Sequence, residues 1–203
     1  MERLQIDPLH PKGKHLRRAV EVLRKGGVII YPTDTIYGLG CDIFNKDAVE
    51  RIYQIKGKSW KSPLSFICPD LKEISRYAYV SNAAYRIMKR GLPGPYTFVL
   101  PATPLVPKLL LSKRKTVGIR VPDHPICHAL LEEFGGPIVS TSVTGPDGDP
   151  LNLPEEIEAH FRGIVDLMLD VGPLGLVPST VIDLTGETPV VVREGKGDLT
   201  ILE

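Results

Sequence analysis

The chain has 203 residues, 42% of them apolar, and a formal charge of +1. That length can bury one sizeable core but not two large ones, so residues 1–203 read as a single domain. The near-neutral balance excludes a polybasic coat for nucleic acid or membrane surfaces and leaves any phosphate site to a local cluster.

Helical and strand patterns alternate along the chain. Lys14 to Lys25 carries Leu16, Val20 and Leu23 on one face and is stopped by Gly26. Val28 to Tyr31 is a continuous apolar segment of strand length. Further helices are expected at Lys46 to Ile55, Ser81 to Arg90, Pro125 to Phe134 and Pro154 to Phe161. Further strands are expected at Leu64 to Cys68, Tyr96 to Leu100, Val117 to Val121, Pro137 to Thr141, Val165 to Leu169, Thr180 to Leu184 and Val190 to Arg193. Some successive strands leave no room for a crossover helix, so the expected class is α/β of the α+β type with a mixed sheet. No run of about 18 apolar residues occurs, and MERLQIDPLHPKGKH lacks an apolar signal core, so a cytoplasmic protein with no membrane partner is expected. Cys41, Cys68 and Cys127 are widely spaced and lack CxxC pairing; they read as small buried hydrophobes rather than nucleophiles, disulfide partners or zinc ligands.

Polar groups recur where apolar strands end. In GGVIIYPTDTIYGLGCD, Pro32 ends a strand, Thr33, Asp34, Thr35 and Tyr37 follow, and Gly38 and Gly40 permit close approach of a ligand to the backbone. The same residues also suit an ordinary turn. Lys56-Gly57-Lys58-Ser59-Trp60-Lys61-Ser62 is a local cationic segment, suited either to polyphosphate or to the solvated end of a helix. Val139-Ser140-Thr141-Ser142-Val143-Thr144 is a hydroxyl row that can donate to oxyanions or cap local backbone, and Pro178-Ser179-Thr180 repeats the pattern. Arg120 interrupts an apolar strand, either as a bidentate carboxylate clamp or as an edge-strand charge, and Arg193 ends the last strand. Lys113-Arg114-Lys115 beside Lys108 is a charge run open to RNA phosphates or simply to solvent.

The segments PTDTIYGLG, the helix leading into KGK, PGPYTFVLPA, VGIRVPDHP, VSTSV, PSTVIDL and VVREG occur in this order over almost the whole chain. In that order they resemble the Sua5/YrdC/YciO family. The resemblance implies a YrdC-like fold: a twisted, mixed and largely antiparallel sheet flanked by helices, with a concave cationic face associated with double-stranded RNA or tRNA. It further implies a nucleotidyltransferase that makes threonylcarbamoyl-AMP from L-threonine, bicarbonate and ATP, with Mg²⁺ accompanying the nucleotide. That product serves N6-threonylcarbamoylation of tRNA adenosine. Carried onto this chain, the resemblance gives Thr33, Arg120, Ser140 and Ser179 to the amino acid, and Lys56, Thr116, Ser142 and Arg193 to ATP. Orientation and charge stabilisation by Lys56, Lys58 and Arg120 would drive the reaction, and no side chain is assigned as a nucleophile.

Two departures from the synthase pattern stand out. The family's Lys-x-Arg is Lys56-Gly57-Lys58 here, which removes a phosphate fork, and its Ser-x-Asn is Ser142-Val143-Thr144, which removes an amide. With these changes, and with the ending STVIDLTGETPVVVREGKGD, the chain resembles the YciO branch more than the dedicated synthases. For that branch the alternative expectation is a nucleotide- and double-stranded-RNA-binding protein with weak or different chemistry.

Overall fold

The period-two alternation of the central strands sorts side chains into two cores, one on each face of the sheet. On β2 (Ile29–Tyr31), Ile29 and Tyr31 join one cluster, while Ile30 and the preceding Val28 join the other. The same split separates Phe66 from Ile67 on β4 (Ser65–Ile67) and Ile138 from Val139 on β7 (Ile138–Ser142). The computed structural model describes residues 1–57 and 64–203.

Helices cover both faces. The first core is closed by α1 (Lys14–Arg24) through Leu16, Ala19, Val20 and Leu23, and by α5 (Pro125–Phe134) through Ile126, Cys127 and Leu130. The second takes in Val49 and Ile52 of α2 (Lys46–Ile55), Ile74 and Tyr77 of α3 (Leu71–Tyr77), Met88 of α4 (Asn82–Gly91), and Ile157 and Phe161 of α6 (Pro154–Phe161). Short polar side chains set where helices start: Asn45 Oδ1 accepts from the Ala48 amide at 2.9 Å, Asp70 Oδ1 from Glu73 at 2.8 Å and Ser81 Oγ from Ala84 at 3.1 Å. Proline opens α5 and α6, where its missing N–H costs nothing.

The remaining strands are β1 (Glu2–Gln5), β3 (Gly38–Gly40), β5 (Tyr96–Pro101), β6 (Thr116–Arg120), β8 (Leu167–Asp170), β9 (Thr180–Asp183) and β10 (Val190–Arg193). They form one ten-stranded sheet in the order β1-β8-β2-β3-β7-β4-β6-β5-β9-β10. The pairings β2–β3, β3–β7, β4–β7, β5–β6 and β9–β10 are antiparallel, and β1–β8, β2–β8, β4–β6 and β5–β9 are parallel. The mixed sheet flanked by helices is therefore the architecture expected from the sequence. Of the expected elements, α2, α5, α6 and β10 lie where the pattern placed them, and most others shift by one or two residues. Besides two short 3₁₀ turns at Lys108–Leu110 and Leu199–Leu202, three of the described strands and helices, β1, β3 and α3, were not anticipated.

Each of the three has a physical reason to escape a periodicity reading. β1 is mostly polar and exists through parallel pairing with β8 and the contact from Arg3 Nε to Asp170 Oδ2 at 2.8 Å. β3 is Gly-Leu-Gly, poor in strand propensity, and small residues are imposed by its neighbours. A Cβ at Gly40 would stand 2.3 Å from the Val139 carbonyl and 2.7 Å from Tyr31 Cε1. The Gly40 backbone is thus close to the core rather than open to a ligand. α3 has only seven residues, too few for a helical period to declare itself.

Candidate functional site

Seven neighbouring strands, β3-β7-β4-β6-β5-β9-β10, bring the polar strand ends together. Between them lies a cavity of about 280 Å³, lined by Thr97, Thr116, Arg120, Ser140, Ser142, Ser179 and Arg193 among its polar groups, and by Ile36, Val99, Val117 and Val181 among its apolar ones. Register explains part of the convergence: Ser65 of β4 pairs with Ser140 of β7, and Gly38 of β3 with Ser142. Gly118 sits on the same wall, where a Cβ would meet Ser65 Cβ and Thr97 Cγ2 at 3.2 Å, so glycine keeps the cavity open.

Arg120 is the most constrained member. It lies on β6, an interior strand between β4 and β5, which removes the edge-strand explanation for a charge in this run. Its Nη2 donates to Asp34 Oδ1 at 2.9 Å and to Thr35 Oγ1 at 3.1 Å, and the Arg120 and Asp34 side chains are only 8% and 9% exposed. Arg120 Nε is buried with no hydrogen-bond partner among the described residues. Leaving a charged donor buried and unpaired costs a folded protein free energy, so such an atom beside a cavity points to a missing acceptor.

The opposite side is built on β9 and β10. Ser179 Oγ is 2.8 Å from Thr97 Oγ1, and Arg193 donates to the Ser179 carbonyl from Nη2 at 2.8 Å and from Nε at 3.2 Å. Burial, and then the neighbouring Arg120 charge, lowers the proton affinity of the Arg193 guanidinium. Thr116 Oγ1 lies 2.6 Å from Ser112 Oγ at the far end of β6. The described lining thus holds two guanidiniums and a set of hydroxyls, with no carboxylate; only Asp34, behind Arg120, offsets the charge. An anionic ligand suits that balance.

Two expected site residues stand off the lining. Thr33 is 2% exposed, and its hydroxyl donates to the Ile36 carbonyl at 2.6 Å and accepts from the Thr35 amide at 3.2 Å, so it ties the turn that presents Thr35 to Arg120. Lys56, just past the end of α2, reaches the cavity wall through the Ser142 carbonyl at 2.7 Å and through Thr144 Oγ1 at 2.6 Å. Lys58 and Trp60 lie outside the described residues. In the basic run 113–115, Arg114 is engaged by Thr185 Oγ1 at 3.2 Å and approaches Asp183 at 3.7 Å.

Sequence reasoning assigned no job to Asp34, Thr35, Thr97 or Lys196. Asp34 Oδ2 accepts from the Asp123 amide at 3.1 Å, and its carbonyl accepts from Lys196 Nζ. The signal for Asp34 was present, as a carboxylate beside hydroxyls at a strand end, but its arginine is 86 positions away. No cluster of three His, Cys, Asp or Glu among the described residues is placed to hold a metal ion. The three cysteines are free and buried, and burial raises their thiol pKa, as expected of inert side chains. No helix among the described residues is long and apolar enough to cross a membrane.

Comparison with known proteins gives one consistent result. A family model for Sua5, YciO and YrdC proteins, described as "Telomere recombination", matches residues 21–195. The chain is 50% identical over 196 residues to the Escherichia coli protein named "Uncharacterized protein YciO", spanning 96% of this chain and 95% of that one. The crystal structure of that protein superposes with a TM-score of 0.91 at 46% identity, covering 100% of this chain and 98% of that one. The threonylcarbamoyl-AMP synthase of Halorhodospira halophila is 35% identical over 182 residues, 89% of this chain and 90% of the synthase. The structure of P. abyssi Sua5 complexed with L-threonine matches with a TM-score of 0.84 at 31% identity, covering 96% of this chain and 56% of Sua5.

Proposed function

The chain belongs to the Sua5/YciO/YrdC family, and on that premise we propose that its cavity binds L-threonine, bicarbonate and ATP and forms threonylcarbamoyl-AMP, a precursor for tRNA adenosine modification. The observation that carries this reading is the buried Arg120 Nε, a charged donor without a partner among the described residues in a cavity wall of hydroxyls.

The polar groups sort by the chemistry they suit. Arg120, Ser140 and Ser179 suit the carboxylate and hydroxyl of threonine, while Thr116, Ser142 and Arg193 of the lining, and Lys56 behind Ser142, suit the phosphates; the phosphate role of Lys58 rests on the sequence resemblance alone. The amine of threonine attacks the carbon of bicarbonate with loss of water, and the resulting carbamate oxygen attacks the α-phosphorus of ATP as pyrophosphate leaves. Guanidiniums and hydroxyls fixed on strand ends orient the reactants and offset charge developing on the phosphorus. The absence of a carboxylate from the described lining does not fit a protein-held Mg²⁺ site, so Mg²⁺ enters as the counter-ion of the ATP phosphates and no step is assigned to it.

Pyrophosphate release by the purified protein tests the proposal. It should require L-threonine, bicarbonate and ATP together, and omission of any one should return it to background. Release that ignores threonine would contradict the assignment of the Arg120 side of the cavity.

A further inference from the structure

We propose that Asp34 is the positioning residue that decides how Arg120 meets its ligand, because it takes up the nitrogen that both two-pronged edges of the guanidinium share. A guanidinium offers a carboxylate two forked edges, Nε with Nη2 and Nη1 with Nη2. Nη2 carries two hydrogens and has two acceptors here, Asp34 Oδ1 at 2.9 Å and Thr35 Oγ1 at 3.1 Å. Neither fork is left complete.

Both acceptors are themselves held. Asp34 Oδ2 accepts from the Asp123 amide at 3.1 Å and the Asp34 carbonyl from Lys196 Nζ. Thr35 Oγ1 lies 3.1 Å from Thr33 Oγ1, whose proton goes to the Ile36 carbonyl at 2.6 Å. Arg120 is therefore fixed from behind and neutralised as a pair, and its one buried donor without a partner among the described residues is Nε. With Nη2 taken, a ligand carboxylate meets Arg120 through one nitrogen, Nε or Nη1, and the second carboxylate oxygen falls to the hydroxyls of the lining, Ser140 and Ser179 among them. Recognition then depends on placement of one guanidinium nitrogen and a set of hydroxyls rather than on a two-pronged free cation. The two-pronged clamp expected of Arg120 from the sequence is replaced by this arrangement.

The inference rests on the reading that the carboxylate belongs to L-threonine, and two measurements separate the two claims. In the ligand-free protein, ¹⁵N NMR of the Arg120 Nε–H should show slow exchange with solvent, and Asp34→Asn should speed that exchange by about tenfold or more. By calorimetry, Asp34→Asn should weaken L-threonine binding by about tenfold while leaving ATP binding within about twofold. Thr35→Val, which keeps shape and charge, should produce a smaller change of the same kind, about threefold. Unchanged Nε–H exchange, or threonine and ATP affinities falling in proportion, overturns the assignment. If Asp34→Asn does not fold, Thr35→Val decides alone: no change in exchange or threonine affinity overturns it. A wild-type protein that binds no L-threonine sinks the functional reading instead, and the exchange measurement still tests Asp34.

Discussion

Lys56 donates to the Thr144 hydroxyl at 2.6 Å and to the Ser142 carbonyl at 2.7 Å, which fastens the end of α2 to the loop after β7. The backbone around Thr144 is pinned as well, by its bridge to Pro150 and by the bond from the Leu151 amide to the Val143 carbonyl at 3.1 Å. By sequence, threonine in place of asparagine here reads as the loss of a group that both accepts and donates. A hydroxyl keeps both capacities: it accepts from Lys56 and retains its own proton for a ligand oxygen. Thr144→Val should therefore weaken ATP binding by roughly fivefold to tenfold, about 1 kcal/mol, with Thr144→Ser close to wild type. Calorimetry with ATP checks this; equal affinities for the valine and wild-type proteins would contradict it.

Removing Arg120 should cost stability as well as binding. Arg120→Gln leaves Asp34 buried opposite a neutral partner, and breaking such a pair costs about 3–5 kcal/mol. The double variant Asp34→Asn with Arg120→Gln should recover most of that loss, because the stranded charge is gone. Denaturant unfolding of the single and double variants measures both values. A double variant no more stable than Arg120→Gln would mean that the charge is not the cause.

The His124 ring caps α5, its Nδ1 accepting from the Ile126 amide at 3.2 Å. Burial lowers its pKa below the ordinary 6.5, against an opposing pull from Asp34. The unfolded chain then binds the proton more readily than the folded one, so this contribution to stability is complete above 6.5 and is lost as pH falls through the depressed folded value. Protonation also removes the acceptor that caps the helix. Melting temperatures recorded from pH 8 down to pH 5 should fall at the acid end, and His124→Asn, a neutral cap, should flatten that part of the curve. An unchanged slope in His124→Asn would exclude this source.

Gly40→Ala should be among the most damaging single-methyl additions. The new Cβ would stand 2.3 Å from the Val139 carbonyl and 2.7 Å from Tyr31 Cε1, between two strands that cannot part without breaking the ladder. A loss of about 3 kcal/mol or more is expected. Gly57→Ala is the control: its φ of 56° strains any side chain, but nothing among the described residues crowds a Cβ there, so the loss should stay near 1 kcal/mol. Chemical denaturation of the two variants checks the order.

Much of this architecture was legible in the chain because burial writes itself as periodicity. α2, α5 and α6 announce themselves through apolar spacing and helix-start residues. β3 did not, since its residues are chosen by the Tyr31 ring and the Val139 carbonyl rather than by strand propensity. For the site, the ordered segments located six polar members of one cavity, Thr116, Arg120, Ser140, Ser142, Ser179 and Arg193. The connections between them were hidden, because Asp34 with Arg120 and Lys56 with Thr144 are pairings 86 and 88 positions apart that only the sheet order brings together. Thr33 shows the reverse case: its residue type suited a ligand contact, while its hydroxyl is committed to its own turn.

Formation of a carbamoyl adenylate in the cavity is the reaction on which the proposed function stands or falls. The most direct measurement is mass spectrometry of the purified protein incubated with ATP, Mg²⁺, L-threonine and ¹³C-bicarbonate. Threonylcarbamoyl-AMP carrying one ¹³C is expected from the wild-type protein and should be lost in Arg120→Gln. ATP that binds while no labelled adenylate forms would contradict the proposed function.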